Sequence, residues 1–468
     1  MSGAHRERPG RYSEALKVQE FRALYLAQVA SGIGDQVAKV ALAILVFDRT
    51  SSPFLAALAY AAGFLPWIVA GPVLSPLADR LPRRRVMVVC ELGRAVLFGA
   101  MALPGVSIPA LFMLLLLASL LAPPFEAARA ATLPDVLPGD LYVVGSSLGA
   151  ISSQFVQVLG FAGGGALVAL VGARGALGLD AVTFALSGLL LMVRVVSRPP
   201  AATGARPTLV ADIRDGSRVV FASPVLRSIL LLAWVGAAFS IVPEGLAVTY
   251  ADSHGAGPVA TGLLLAANPV GAVVGAFVIG RLVAPFRRLR LMLPLAALTF
   301  LPLLGTVVHP PVPLACLLWA VSGVGLAFQL PANATFVATV PVESRGRAFG
   351  LAQSGLHVFQ GLSLTAGGAL VQVLPVQGVV TLSGVVGLSA VALLARTWPH
   401  AALIGTPVPA SAAADRSTDA EAEETEQPIP VWTGPYLLSP APRELVMRLV
   451  ALPLVPEPAV AEPLVAEP

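Results

Sequence analysis

Twelve apolar runs divide this chain, at about 21–47, 54–78, 86–104, 107–131, 141–171, 176–196, 226–250, 258–284, 289–308, 312–338, 345–373 and 376–396. An apolar stretch of roughly 20 residues is the length that crosses the hydrocarbon core of a bilayer. Lipid offers no hydrogen bonds to the backbone, so spans of this length fold as helices that satisfy their own peptide groups. The runs predict an all-α membrane protein with twelve transmembrane helices. The composition agrees: only 12% of the residues are charged, against about a quarter in soluble domains.

Arg and Lys test that map. Of the 30 basic residues, 26 fall in the N-terminal tail, in the loops after runs 2, 4, 6, 8 and 10, and in the C-terminal tail. The loops on the other side hold only Arg49 and Arg174, and Lys39 and Arg94 lie within runs. Such a bias marks the cytoplasmic side. It predicts a multi-pass protein of the inner (cell) membrane with both termini in the cytoplasm. The basic residues then face an anionic lipid leaflet, and nucleic acid is not an expected partner. The first twenty residues lack a short apolar core with a cleavage site, so no removable signal peptide is expected.

The expected domains are a cytoplasmic tail (1–20), a six-helix bundle (21–196), a polar cytoplasmic linker (197–224), a second six-helix bundle (225–396) and a disordered cytoplasmic tail (397–468). The tail is rich in Ala, Pro, Glu and Val, with an acidic block from Asp415 to Glu426. The halves repeat. Pro124–Pro134 reads PFEAARAATLP and Pro331–Pro341 reads PANATFVATVP, 207 residues apart. Ala162–Leu167 (AGGGAL) resembles Ala366–Leu370 (AGGAL) at the same place in its half. Parallel repeats of this kind frame a central site between two bundles.

The loop after run 2 reads Ser75-Pro76-Leu77-Ala78-Asp79-Arg80-Leu81-Pro82-Arg83-Arg84-Arg85. Asp79, Arg80, Arg83 and Arg84 match the loop motif of the major facilitator superfamily, with Ser75 and Pro82 at its two glycine positions. The chain resembles that superfamily over about residues 20–396. Phe21-Arg22, Gln28, Ser31, Gly34-Asp35, Thr50 to Pro53, Leu65-Pro66, Pro124-Phe125 and Arg345 to Gly350 resemble its drug-and-siderophore efflux branch, which includes enterobactin exporters and macrolide efflux proteins. The resemblance implies the major facilitator fold, alternating access, and export of a hydrophobic or amphipathic small molecule (a drug, antibiotic or siderophore). It also implies a gate at the Asp79 loop, against the plainer reading of a solvated loop charge. Gly160-Phe161-Ala162-Gly163-Gly164-Gly165 resembles the helix 5 antiporter motif, with Phe161 at its Pro position, so Gly160, Gly164 and Gly165 are candidate motif residues.

Several polar residues lie at membrane depth, where they usually face a cavity or a partner. Asp35 and Lys39 are four apart and share a helix face. They read either as a proton-carrying carboxylate with a neighbouring cation or as a fixed ion pair. Glu91 with Arg94, and Glu126 with Arg129, are each three apart and read as structural pairs. Asp180 is expected to cap the start of helix 6. Glu244 follows Pro243 and reads as cavity or outward-facing. Gln154, Asn268 and Gln329 complete the candidate proton and substrate cavity, each alone being more typical of an interhelical hydrogen bond.

Other classes of function find no support. Gly145-Ser146-Ser147-Leu148-Gly149 fits a hydrolase elbow but lies in an apolar helix with no strand before it. Neither lysine follows a glycine, so there is no phosphate-binding P-loop. The five histidines are scattered, and Cys90 and Cys316 sit in apolar runs as expected buried thiols. Neither a cofactor, a metal nor an enzymatic reaction is expected. The expected partners are a small-molecule substrate, protons and the lipid bilayer, and the expected state is a monomer. The alternatives are solute uptake or lysophospholipid flipping, and a receptor or accessory protein that does not transport.

Overall fold

The computed structural model describes residues 11–64, 81–198, 209–341 and 344–399. Every regular element within them is a helix. The membrane elements are α1 (Gln19–Thr50), α2 (Pro53–Ala61), α3 (Arg83–Ala102) and α4, built from Ile108–Leu120 and Ala122–Val136. Asp140–Arg194 is helical except at Gly172 (φ 75°, ψ 165°), which separates α5 (140–171) from α6 (173–194). In the second half, α7 is Pro224–Ser240 continued by Val242–Gly245 and Ala247–Asp252, and α8 is Pro258–Leu282. Next come α9 (Met292–Phe300 running into the 3-10 segment Leu301–Val308) and α10 (Val312–Gly325 and Gln329–Thr339, joined by the 3-10 turn Leu326–Phe328). The last two are α11 (Arg345–Leu370) and α12 (Val376–Arg396).

Eleven of the expected spans thus coincide with helices, and the second is described only as far as residue 64. Asp79, Arg80 and most of both tails lie outside the described residues. The loop expected between runs 5 and 6 shrinks to a single left-handed residue, Gly172, a conformation that glycine adopts without penalty.

Local chemistry explains several helix starts. Ser52, Ser107 and Ser223 each cap a helix by accepting the backbone N–H of Leu55, Ala110 and Leu226. A proline follows within two residues of each, where its missing N–H costs nothing. Ends and loops pair as the alternation of spans requires. Arg198 forks onto Glu20 with 2.6 and 2.9 Å bonds, Arg83 reaches Asp135 (2.7 Å) and the Ala131 carbonyl, and Arg84 reaches the Met192 carbonyl. These contacts gather the N-tail and the ends of α3, α4 and α6 at one face, here called the basic face. Arg49 donates to the Val106 carbonyl at the opposite, far face.

Large apolar side chains such as Val96, Leu170, Leu282 and Leu393 are exposed, as a lipid-facing surface requires. Inside each half, small residues let helices touch through their backbones. A Cβ on Gly164 would lie 3.1 Å from Val37 Cα, so α5 rests directly on α1. Gly271, Gly275 and Gly323 bring α8 against α10 in the same way.

The halves meet near the far face along two seams that descend from the repeat. On one, Gly165 of α5 faces Gly262 of α8: a Cβ on Gly165 would stand 2.8 Å from Gly262 Cα, and one on Gly262 would stand 2.7 Å from the Phe161 carbonyl oxygen. On the other, Gly368 of α11 packs on α2, 3.4 Å from Phe54 Cα and 2.7 Å from Ala57 Cβ by the same measure. AGGGAL and AGGAL thus supply corresponding glycines to corresponding seams.

Candidate functional site

Below the seams, between the halves, lies a cavity of about 270 Å3. From the first half it is lined by α1, α2, α3, α4 and α5, and from the second by α7, α8, α10 and α11. Helix 1 contributes most, since Gln28, Ser31, Asp35 and Lys39 recur at helical spacing along one face. Carboxamides dominate the rest of the wall. Gln36 and Gln157 stand on the first half, with Asn268, Gln329, Gln353 and Gln360 on the second. Val29, Phe64, Phe125, Val156 and Leu356 place apolar surface between them.

An acid–arginine cluster forms the deeper wall. Arg94 donates to Asp35, which remains 31% exposed on its cavity side while Arg94 is 7% exposed. Behind Arg94 stands Glu91, fully buried, with its carboxylate 4.0 Å from the guanidinium. The neighbouring Ser187 hydroxyl points to the Ala27 carbonyl at 3.4 Å. Asp180 is buried as well. One of its oxygens accepts from Thr183 (3.1 Å), and the other has no hydrogen-bond donor among the described residues. Gly34 makes the room, since a Cβ there would collide with the Asp180 carboxylate. The guanidinium lies 4.1 Å from the Phe184 ring centroid, and Phe184 stacks on Phe98. Asp35 and Glu91 therefore share one cation, and the buried Asp180 is a third carboxyl group in the same cluster. Full ionisation of all three would leave uncompensated charge in a water-poor site, which costs several kcal/mol.

Asp180 corrects the expectation of a helix cap. Helix 6 begins earlier, just after Gly172, so Asp180 lies well inside the helix and in the bundle interior. Asp35 and Lys39 do not form the fixed pair that their spacing allowed. Asp35 goes to Arg94, and Lys39 donates to Gln36 Oε1 at 3.1 Å, with its ammonium 5.6 Å from the Phe64 ring centroid.

Glu126 and Arg129 do pair, at 2.7 Å, and Arg129 also donates to Gln28 at 2.9 Å. Glu126 lines the cavity while Arg129 backs it. Glu244 faces the cavity from α7 and accepts from Tyr60 at 2.8 Å, a hydrogen bond from one half to the other. Asn268 and Gln329 line the cavity. Gln154 does not: it is buried within its bundle, and Gln157 takes the cavity position. Gly160 fits α5 against Gln36 and Ile33 of α1. Of the loop motif, Arg83 and Arg84 are described. Both cap the ends of helices in their own half, where a cation suits the negative end of the helix dipole. Cys90 is buried and Cys316 half-buried, which corrects the expectation of two buried thiols. Tyr60, Phe64 and Phe184 were not singled out in the sequence. Their roles rest on partners from distant helices, and no local signal marks them.

The family model of transmembrane secretion effectors, a branch of the major facilitator superfamily, matches residues 13–437. The chain belongs to this family. This transporter is 27% identical over 368 residues to the uncharacterized MFS-type transporter YfiS of Bacillus subtilis, covering 75% of this chain and 86% of that one. It is 26% identical over 363 residues to the multidrug efflux pump Tap of Mycolicibacterium fortuitum, covering 74% and 88%. With YkuC, another uncharacterized MFS-type transporter of B. subtilis, it is 28% identical over 49% of this chain and 57% of that one. Among solved structures, the POT family transporter PepTSo superposes with a TM-score of 0.66 at 12% identity, over 81% of this chain and 97% of that one, which speaks to the shared fold. The family match runs past residue 396 into the tail, beyond the reach of the loop and repeat motifs.

Proposed function

We propose that this major facilitator transporter exports an amphipathic small molecule across the cell membrane in exchange for protons. The observation that carries the reading is the cavity between the halves with Asp35 exposed in its wall and bound to Arg94. The carboxamide lining suits a substrate that hydrogen-bonds, and the apolar patches suit its hydrophobic body. Likeness to multidrug efflux pumps such as Tap supports export of small molecules as the task. In this reading the basic face is cytoplasmic, both termini are cytoplasmic, and the protein acts as a monomer.

The proton step follows from the cluster. A proton arriving on Asp35 removes its charge and releases Arg94. Glu91, 4.0 Å from the guanidinium, accepts it, and the buried Asp180 of the same cluster adds to the negative field there. The arginine thus moves between carboxylates without ever standing unpaired. Substrate and proton compete because both act on the cavity face of Asp35. Closure of the cavity toward the basic face and opening of the two far seams then expose the site to the outside.

The test is transport by purified protein in liposomes under an imposed pH gradient, with wild type beside Asp35→Asn. Substrate movement driven by the gradient is expected for wild type and lost in the variant, while downhill exchange of substrate persists. Undiminished gradient-driven transport in Asp35→Asn rules out Asp35 as the proton carrier. Movement with the proton rather than against it rules out efflux.

A further inference from the structure

The charges in the cavity are unequally matched. Asp35 has Arg94, Glu126 has Arg129, and Glu244 has the Tyr60 hydroxyl. Lys39 is different. No carboxylate oxygen among the described residues lies within 4.0 Å of its ammonium, whose one protein hydrogen bond goes to the neutral amide of Gln36. An ammonium has three donors and strong demand for an acceptor. This one is presented to a cavity between the two halves.

Its surroundings are built for more than water. The ammonium stands 5.6 Å from the Phe64 centroid, and His357 of α11 approaches the same ring at 6.3 Å between centroids. The Tyr60 ring also packs on Phe64, at 6.0 Å between centroids. A cation from the first half and an imidazole from the second thus flank one aromatic surface, with Gln36 and Gln360 amides nearby. An anionic head on Lys39 with an apolar or aromatic body over Phe64 and Tyr60 satisfies both kinds of wall at once.

We propose that the far end of the cavity is an anion seat, and that the exported molecule is an amphipathic organic anion whose acidic group, a carboxylate or another oxyanion, binds Lys39. The inference rests on the export reading above and narrows its substrate class. The bound anion ties α1 to α11, and so links occupancy to the relative position of the halves.

Three dyes with one dansyl body and different charge test this: dansylglycine (anionic), dansylamide (neutral) and dansylcadaverine (cationic). Binding is measured by fluorescence on the full chain in lipid nanodiscs, with empty nanodiscs subtracted, and movement is followed in proteoliposomes. Wild type is expected to bind dansylglycine about tenfold or more tighter than dansylcadaverine, as a charge-assisted contact implies. Lys39→Gln is expected to erase that preference, and Lys39→Arg, which keeps the charge, to retain it and so report that loss in the first variant is not misfolding. A wild-type preference for the cation or the neutral dye overturns the anion seat while leaving export intact. So does an anion preference that survives in Lys39→Gln. Failure to move any of the three dyes counts against the export reading itself, and the seat falls with it.

Discussion

Replacing Gly262 by alanine should loosen the far-face closure, although alanine is the better helix former. The added Cβ would lie 2.7 Å from the Phe161 carbonyl oxygen and 2.8 Å from Gly165 Cα. Both are backbone atoms of another helix, so no side-chain rotation relieves them and the two helices must part by roughly half an ångström or more. Overpacking of this kind costs about 1–3 kcal/mol. Alanine's intrinsic advantage in a helix is about 1 kcal/mol, and it applies equally whether the seam is closed or open. Only the clash therefore distinguishes the two states. A difference of about 1–3 kcal/mol shifts their ratio by roughly 5- to 150-fold toward the open far face.

The reporter belongs on the other seam, so that it senses the state and not the mutation. Ala57 is fully buried beneath Gly368. A single cysteine at Ala57, in a chain whose Cys90 and Cys316 are serines, is labelled in intact cells with a membrane-impermeant maleimide. Labelling should accelerate in Gly262→Ala by a factor within that range. Gly163→Ala is the control, since a Cβ there has open space around it. It should leave the rate unchanged. An unchanged or slower rate in Gly262→Ala refutes the view that the glycine seams set the closure.

Other perturbations bear on the same architecture. Tyr60→Phe removes the donor to Glu244 across the halves; hydrogen bonds to charged groups are worth about 1.5–3 kcal/mol, so the Ala57 reporter should again label faster, and equal rates would count against a latch. Arg94→Gln leaves Asp35, Glu91 and Asp180 without their cation, a loss of about 3–5 kcal/mol. Size-exclusion profiles should show depleted folded protein, with Arg94→Lys intermediate, and a wild-type profile would contradict the shared-cation account. Partial burial, with His254 at 4.1 Å between ring centroids, holds His309 below the usual histidine range. The folded state then binds fewer protons than the unfolded one, so stability present at neutral pH falls as pH drops below about 6.5. His309→Asn keeps the left-handed backbone (φ 51°) and should flatten the fall in melting temperature between roughly pH 7.5 and 5.5. An equal fall in both proteins argues that the histidine pair is inert.

Much of the fold was legible because the bilayer imposes a length and a sidedness that single residues report directly. The apolar runs, the basic loops and the paired motifs at Pro124 and Pro331 each carry that information locally. The same medium hides the site. Where lipid and bundle interior are both apolar, hydrophobic periodicity does not say which helix face turns inward, so Gln154 and Gln157 are indistinguishable in sequence although one is buried in its bundle and the other lines the cavity. Helix spacing correctly put Asp35 and Lys39 on one face but could not reveal that Arg94, 59 residues away, claims Asp35. Asp180 was misplaced because a one-residue turn at Gly172 replaced a longer loop and started the helix earlier.

The two halves repeat in backbone but not in charge. Corresponding glycines of α5 and α11 form corresponding seams, and the Pro124 and Pro331 motifs occupy corresponding helices. Yet Asp35, Lys39, Glu91, Arg94, Glu126, Arg129 and Asp180 all belong to the first half, while Glu244 is the one acid that the second half sends into the cavity among the described residues. The second half contributes neutral amides and an imidazole instead. Symmetric seams let the bundles rock about a central site in either direction, and nothing in them selects one. Direction and coupling, as proposed above, require an asymmetry, and the asymmetry between the halves is electrostatic. In the proposed exchange protons act on the first bundle, at Asp35 beside Arg94, while the second bundle's wall is mostly neutral amides, with Glu244 and His357 its titratable members. In that reading substrate touches both. A molecule that binds Lys39 on the first half and the amides of the second therefore reports the protonation of the first bundle to the second, which has little charge of its own with which to sense it.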